Sequence, residues 1–141
     1  MWAKEYLKGL RRINMIIEQK MGELRELKES LTNIGHLDYS ADRVKNSAVQ
    51  EAPFVRTVSR IIELEKVINE EIDEYADEKH KMICQIQGLS DSRYIDVLYK
   101  KYVEDKEIHA IAREMCYSEQ YVISLHGQAL ESFELQYKDD R

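Results

Sequence analysis

The chain has 141 residues, room for one ordinary domain or for a small head on extended helices. Charged residues make up 34% and hydrophobic ones 43%, with five glycines and a single proline, a composition that suits long helices and argues against a sheet protein. A formal net charge of −6 denies the chain a global basic signature for nucleic acid, and the regular recurrence of Leu, Ile, Val and Tyr excludes a disordered chain.

The first predicted helix runs from Trp2 to about Ile34. Leu10, Ile13, Ile17, Met21, Leu24, Leu27, Leu31 and Ile34 follow at steps of three and four, the spacing of a coiled-coil seam, with charged residues on the other faces. Gly35 is the expected C-terminal stop. The stretch "TNIGHLDYSADRVKNSAVQEAP", Thr32 to Pro53, has no sustained period and reads as a long loop, with Pro53 in the first turn of the helix that follows. That second helix spans Phe54 to about Gln87. Val58, Ile61, Ile68, Ile72, Tyr75, Met82 and Ile86 hold heptad positions, Glu65 and Lys79 interrupt them, and Gly88 ends the run. Neither stripe can be buried alone, so the pattern predicts an antiparallel helical hairpin, packed within the chain or against a second copy.

A third segment opens at Leu89-Ser90-Asp91. A lead-in helix carries Tyr94, Val97, Leu98, Tyr102 and Val103, and Glu104 to Glu107 make a polar turn. Ile108, Ile111, Ala112 and Met115 form a two-turn amphipathic helix. Cys116-Tyr117-Ser118 is a tight turn in which Ser118 suits the N-cap of a further helix. That helix has Val122, Leu125, Ala129 and Phe133 inward, with Leu130 beside them. The outcome is an all-α fold: residues 1–88 as a coiled-coil-like hairpin and oligomerisation region with the 32–53 loop, and residues 89–141 as a helix-turn-helix head. In such a head the small Ala112 lets the helices cross, and Ser118, Glu119, Gln120, Tyr121, Ser124, Gly127 and Gln128 form the outward face. Gln pairs bidentately with adenine, while Tyr, Ser and backbone groups contact phosphates. Gly127 serves close approach to a DNA strand or close helix packing equally well.

The stretch "LYKKYVEDKEIHAIAREMCYSEQYVISLHGQAL", Leu98 to Leu130, resembles the fourth region of sigma-70-type factors. The match rests on Ile111-Ala112, Ser118, Val122 and Ala129-Leu130 and on the Leu/Tyr-rich lead-in. The whole chain, including "AKEYLKGLRRIN" and "VRTVSRIIELEKVINEEIDE", is similar to short phage and prophage proteins of Gram-positive bacteria, related to late-gene transcription regulators of the ArpU type. The resemblance implies a regulator that binds double-stranded DNA as a homodimer or together with host RNA polymerase, in the bacterial cytoplasm. Sigma heads usually have Gly where Cys116 stands and often arginines at the positions of Tyr121 and Ile123. From Leu89 to Arg141 there are seven Lys/Arg against eleven Asp/Glu, so binding by the head alone is expected to be weak. Two further readings share the pattern: a small terminase subunit that oligomerises for DNA packaging, and an adaptor that docks on polymerase without reading bases.

Other constellations point to solvated surface. Glu70-Glu71-x-x-Glu74 has the form used for magnesium in helical nucleotide pyrophosphatases, but no ExxD pair follows. Asp77-x-x-His80 imitates half of a di-iron motif without a second half. His36, His80, His109 and His126 stand apart, His126 reading as a surface residue. No Ser/His/Asp set, P-loop or GxGxxG occurs, so no enzyme, cofactor or metal is expected. Cys84 and Cys116 fit free thiols in a reducing cytoplasm. No stretch approaches the ~20 apolar residues of a membrane helix, and the N-terminus lacks the apolar core of a signal peptide.

Overall fold

The computed structural model describes residues 1–40 and 48–140, and every element among them is helical. In chain order these are α1 (Trp2–Ser40), α2 (Ala48–Gln87), α3 (Ser92–Leu98), a π-helical segment (Tyr99–Val103), α4 (Ile108–Met115), α5 (Glu119–Tyr137) and a closing 3-10 turn (Lys138–Asp140). No described helix is long and apolar enough to cross a membrane.

The expected 32–53 loop is largely helical. α1 continues through Gly35 to Ser40, and α2 already begins at Ala48. The middle of that expected loop, residues 41–47, lies outside the described residues. Gly35 lies within α1, and no described glycine makes the left-handed turn that often closes a helix. Gly35 is therefore an ordinary helical residue whose cost, about 1 kcal/mol, is small within a long helix. Pro53 stands inside α2 rather than at its first position. As the sixth residue of α2 it lies past the first turn, so its missing N–H costs the helix one intrahelical bond. Its own carbonyl accepts the Thr57 hydroxyl at 2.9 Å.

Two compact units divide the chain. One comprises Met1–Met15 and Asp77–Arg141, the other Ile16–Ala76. The expected division at residue 88 thus differs from the compact units: the ends of both long helices belong with α3, α4 and α5.

In the first unit α1 contributes Ala3, Leu7 and Leu10, α2 contributes Met82 and Ile86, and α5 contributes Leu125 and Phe133, all buried. An aromatic cluster joins α1 to α5. Trp2 stacks on Tyr6 with ring centroids 4.8 Å apart, and Tyr6 and Trp2 reach Phe133 at 6.0 and 6.2 Å. The buried amide of Gln85 is satisfied, its oxygen accepting the Tyr6 hydroxyl at 2.6 Å. Gly88 ends α2, its N–H bonded to the Cys84 carbonyl at 2.9 Å. A Cβ at Gly88 would stand 2.6 Å from the Tyr137 hydroxyl, which donates to the Gln85 carbonyl at 2.6 Å. Only glycine leaves room for that bond.

Among the described residues of the second unit, fewer apolar side chains are buried. Ile61 and Ile68 are its described core residues, with Leu24, Leu27, Val58, Ile72 and Tyr75 half-buried. Lys20 pairs with Glu71 at 3.0 Å, which ties one turn of α1 to one of α2. Met21, Val55, Ile62 and Val67 are each at least half exposed. Glu65 holds one carboxylate oxygen shielded from solvent with no hydrogen-bond partner among the described residues.

Candidate functional site

The approach to α4 is built by polar capping. Asp91 caps α3, its Oδ1 accepting the Arg93 N–H at 2.9 Å. The Arg93 guanidinium grips the same carboxylate, Nη2 to Oδ2 at 2.9 Å and Nε to Oδ1 at 3.3 Å. These bonds hold the Asp91 carboxyl below the usual carboxylate range. After the π-helical segment, closed by the Glu104 N–H on the Tyr99 carbonyl at 3.0 Å, Asp105 turns left-handed at φ 54 and releases the chain into α4.

α4 ends at Cys116, which takes φ 60 and ψ 41. The Tyr117 N–H reaches back to the Ala112 carbonyl at 3.0 Å and the Cys116 N–H to that of Arg113 at 3.3 Å, which is the Schellman pattern. Ser118 then sits extended, and its Oγ accepts the Tyr121 N–H at 3.1 Å, so α5 starts where an N-cap serine was expected. Ile111 and Ala112 of α4 are buried, as are Val122, Leu125, Ala129, Leu130 and Phe133 of α5. α5 runs four residues beyond Phe133, to Tyr137.

Of the outward residues expected from sequence, Ser118, Glu119, Gln120, Tyr121, Ser124 and Gln128 are exposed and Gly127 is half-buried. Gln120, Ser124, Gly127 and Gln128 lie on the side of α5 opposite its buried stripe and Tyr121 at its flank, whereas Ser118 and Glu119 are exposed at the start of the helix. The two readings of Gly127 now separate: a Cβ there would meet nothing within 4 Å, so packing inside the chain does not require glycine. Tyr121 is more engaged than its exposure suggests. Its hydroxyl accepts Arg93 Nη1 at 2.7 Å, and its ring meets Tyr117 edge-on with centroids 4.6 Å apart. The Tyr94 hydroxyl lies 3.4 Å from Gln128 Oε1, a long and weak bond. Arg93 and Tyr117 therefore join this face, and sequence reasoning passed over both. The Asp91-x-Arg93 spacing after a glycine stop signals the first, because a capping carboxylate two residues before an arginine can hold it.

Two lysines near the turn are also engaged by carboxylates. Lys106 Nζ is 2.7 Å from Glu114 Oε2 and Lys100 Nζ 3.2 Å from Glu114 Oε1, which holds the Glu114 carboxyl below its ordinary range. His126, expected at the surface, is half-buried. Its Nε2 lies 2.7 Å from the Tyr102 hydroxyl. Burial first, then the nearby charges of Lys101 and Lys4, lowers the imidazole pKa to about 4, and burial pushes the Tyr102 phenol up to about 12. At neutral pH both partners are uncharged, so this is a neutral hydrogen bond.

The acidic run of α2 is differently used. Glu71 is taken by Lys20, and His80 Nε2 lies 3.5 Å from the Cys84 sulfur on an exposed surface. No group of three or more metal-ligating side chains comes together among the described residues. In comparisons with known proteins the chain matches no family model, no curated protein and no solved structure.

Proposed function

We propose that the chain is a phage-type transcription regulator that binds double-stranded DNA through α4, the Cys116–Ser118 turn and α5, used as a helix-turn-helix of the sigma region 4 kind. In this reading α1 and α2 form a long hairpin that brings two copies together. The observation that carries it is the outer face of α5, where Gln120, Ser124 and Gln128 stand exposed beside a glycine that the protein's own packing does not demand. Short amide and hydroxyl side chains on a helix that is buried along its other side suit base edges and phosphates of a major groove.

One feature favours an adaptor that docks on RNA polymerase. Arg93, Lys100 and Lys106 are all paired with carboxylates, which leaves less positive charge for phosphates. A footprint on the genome that encodes the protein, with and without RNA polymerase, separates the two. Gln120→Ala and Gln128→Ala should leave the melting temperature unchanged and each weaken specific binding by about 1–3 kcal/mol where the glutamine pairs with a base. Gly127→Ala should stabilise the isolated protein and still weaken binding. A parent protein that selects no DNA under either condition, or Gln variants that bind as well as the parent, removes the DNA reading in favour of the adaptor.

A further inference from the structure

Lys4, Lys8 and Arg11 stand at i, i+4 and i+7 of α1 and so share one face. They line a cleft of about 590 Å³, within the unit that holds α5, and Lys101 lines it too. Tyr102 is its buried lining residue, hydrogen-bonded to the half-buried His126, and Ile108 and the exposed Ile123 add an apolar wall. Asp105 is the carboxylate among the described lining, 3.6 Å from Arg11, and Glu5, whose charge also reaches Tyr102, lies 3.5 Å from Lys8. Both pairs are solvent-exposed, where an ion pair contributes little and yields readily to a better anion. Lys4 and Lys101 form no ion pair among the described residues.

Such a gathering works against the fold. Like charges at i and i+4 destabilise a helix, and cations around one cleft repel each other. The same positive field adds to burial in keeping the imidazole of His126 neutral. The packing of the unit explains Tyr102 and Ile108 but does not call for four cations around them.

We propose that this cleft binds a phosphate-bearing anion, with its phosphate oxygens on Lys4, Lys8, Arg11 and Lys101 and its ring or apolar part against Tyr102, Ile108 and Ile123. Guanidinium and ammonium groups at hydrogen-bond reach are the common means of holding phosphate, and the aromatic and apolar wall suits a sugar or base beside it. A free nucleotide and the backbone of a nucleic acid supply the same chemistry. The proposal does not depend on base reading by α5.

The test uses the full chain and the imidazole resonances of its four histidines, assigned by single substitution. Sodium pyrophosphate, ATP and a short mixed-sequence DNA duplex are titrated separately, each at two salt concentrations. A saturable shift of the His126 signal, weaker at higher salt, is expected. Lys4→Gln with Lys101→Gln should lower the affinity about tenfold or more, as loss of two charge-assisted contacts implies, with the melting temperature not lowered. Arg25→Gln, elsewhere on α1, should leave it unaltered. A response to ATP alone assigns the cleft to a free nucleotide, and a response to the duplex alone assigns it to backbone phosphates. A duplex that binds the parent and the double variant equally, with His126 unmoved, overturns the cleft and leaves the α5 reading standing. Absence of a His126 shift with all three probes overturns it as well.

Discussion

Cys116 sets the geometry of the turn between α4 and α5 at a cost. A side chain with a Cβ at φ 60 is disfavoured by about 1–2 kcal/mol relative to right-handed backbone, and glycine escapes that penalty. The cysteine is an exposed free thiol, so its side chain contributes little packing in return. Cys116→Gly should therefore raise stability by roughly 0.5–1 kcal/mol, the left-handed penalty less the extra entropy glycine gives the unfolded chain. Thermal melting of the two proteins checks it, and equal or lower stability of the glycine variant would show that the thiol makes a contribution the geometry does not reveal. Ser118 shows the opposite economy: its hydroxyl answers one of the unpaired N–H groups at the start of α5, which is why a serine at that place was legible from sequence alone.

Among the elements, α1 departs most from a simple hairpin-plus-head reading. Its first four turns are a structural wall of the unit that holds α3, α4 and α5, since Leu7 and Leu10 are fully buried there and Trp2 and Tyr6 pack against Phe133. Leu7→Ala should cost about 2–5 kcal/mol and melt α5 together with α1. For the same reason a fragment of residues 89–141 should show little helical signal on its own, and circular dichroism of that fragment decides it. A cooperatively folded fragment would refute the role given to α1. Sequence periodicity found α4, α5 and their buried faces because local spacing, a cap and a turn agree there. It could not assign Trp2 and Tyr6 to Phe133, because a contact more than a hundred residues apart leaves no periodic mark. The helical ends of the 32–53 stretch leave no periodic mark for a related reason. Polar composition without a period argues against an isolated helix, yet a helix already nucleated extends at low cost. The phosphate cleft escaped notice because its lysines and arginine come from α1 and from the π-helical segment, each unexceptional in its own stretch of sequence.

At the scale of the whole molecule, the described residues of the unit Ile16–Ala76 bury few apolar side chains. Its described core is Ile61 and Ile68, while Met21, Val55, Ile62 and Val67 are 51%, 56%, 56% and 50% exposed. Burying such apolar surface against another chain adds stability by mass action. Val55 and Ile62 are seven residues apart, so they lie on one side of α2 as neighbouring contacts of a seam would. The expected outcome is a homodimer at micromolar concentration, with these side chains covered by the second copy. Val55→Asp with Ile62→Asp is the informative variant, because both positions face solvent in the single chain and a charge there costs the monomer little. Light scattering should give twice the chain mass for the parent and the single mass for the double variant, with helical signal from the α3–α5 unit retained. On the proposed DNA-binding reading, the dimer should also bind DNA more tightly than the double variant, since two copies joined in one particle engage neighbouring sites at high effective concentration. A parent that is monomeric at micromolar concentration, or a double variant of unchanged mass, would show that the exposed apolar side chains of α2 meet no second copy.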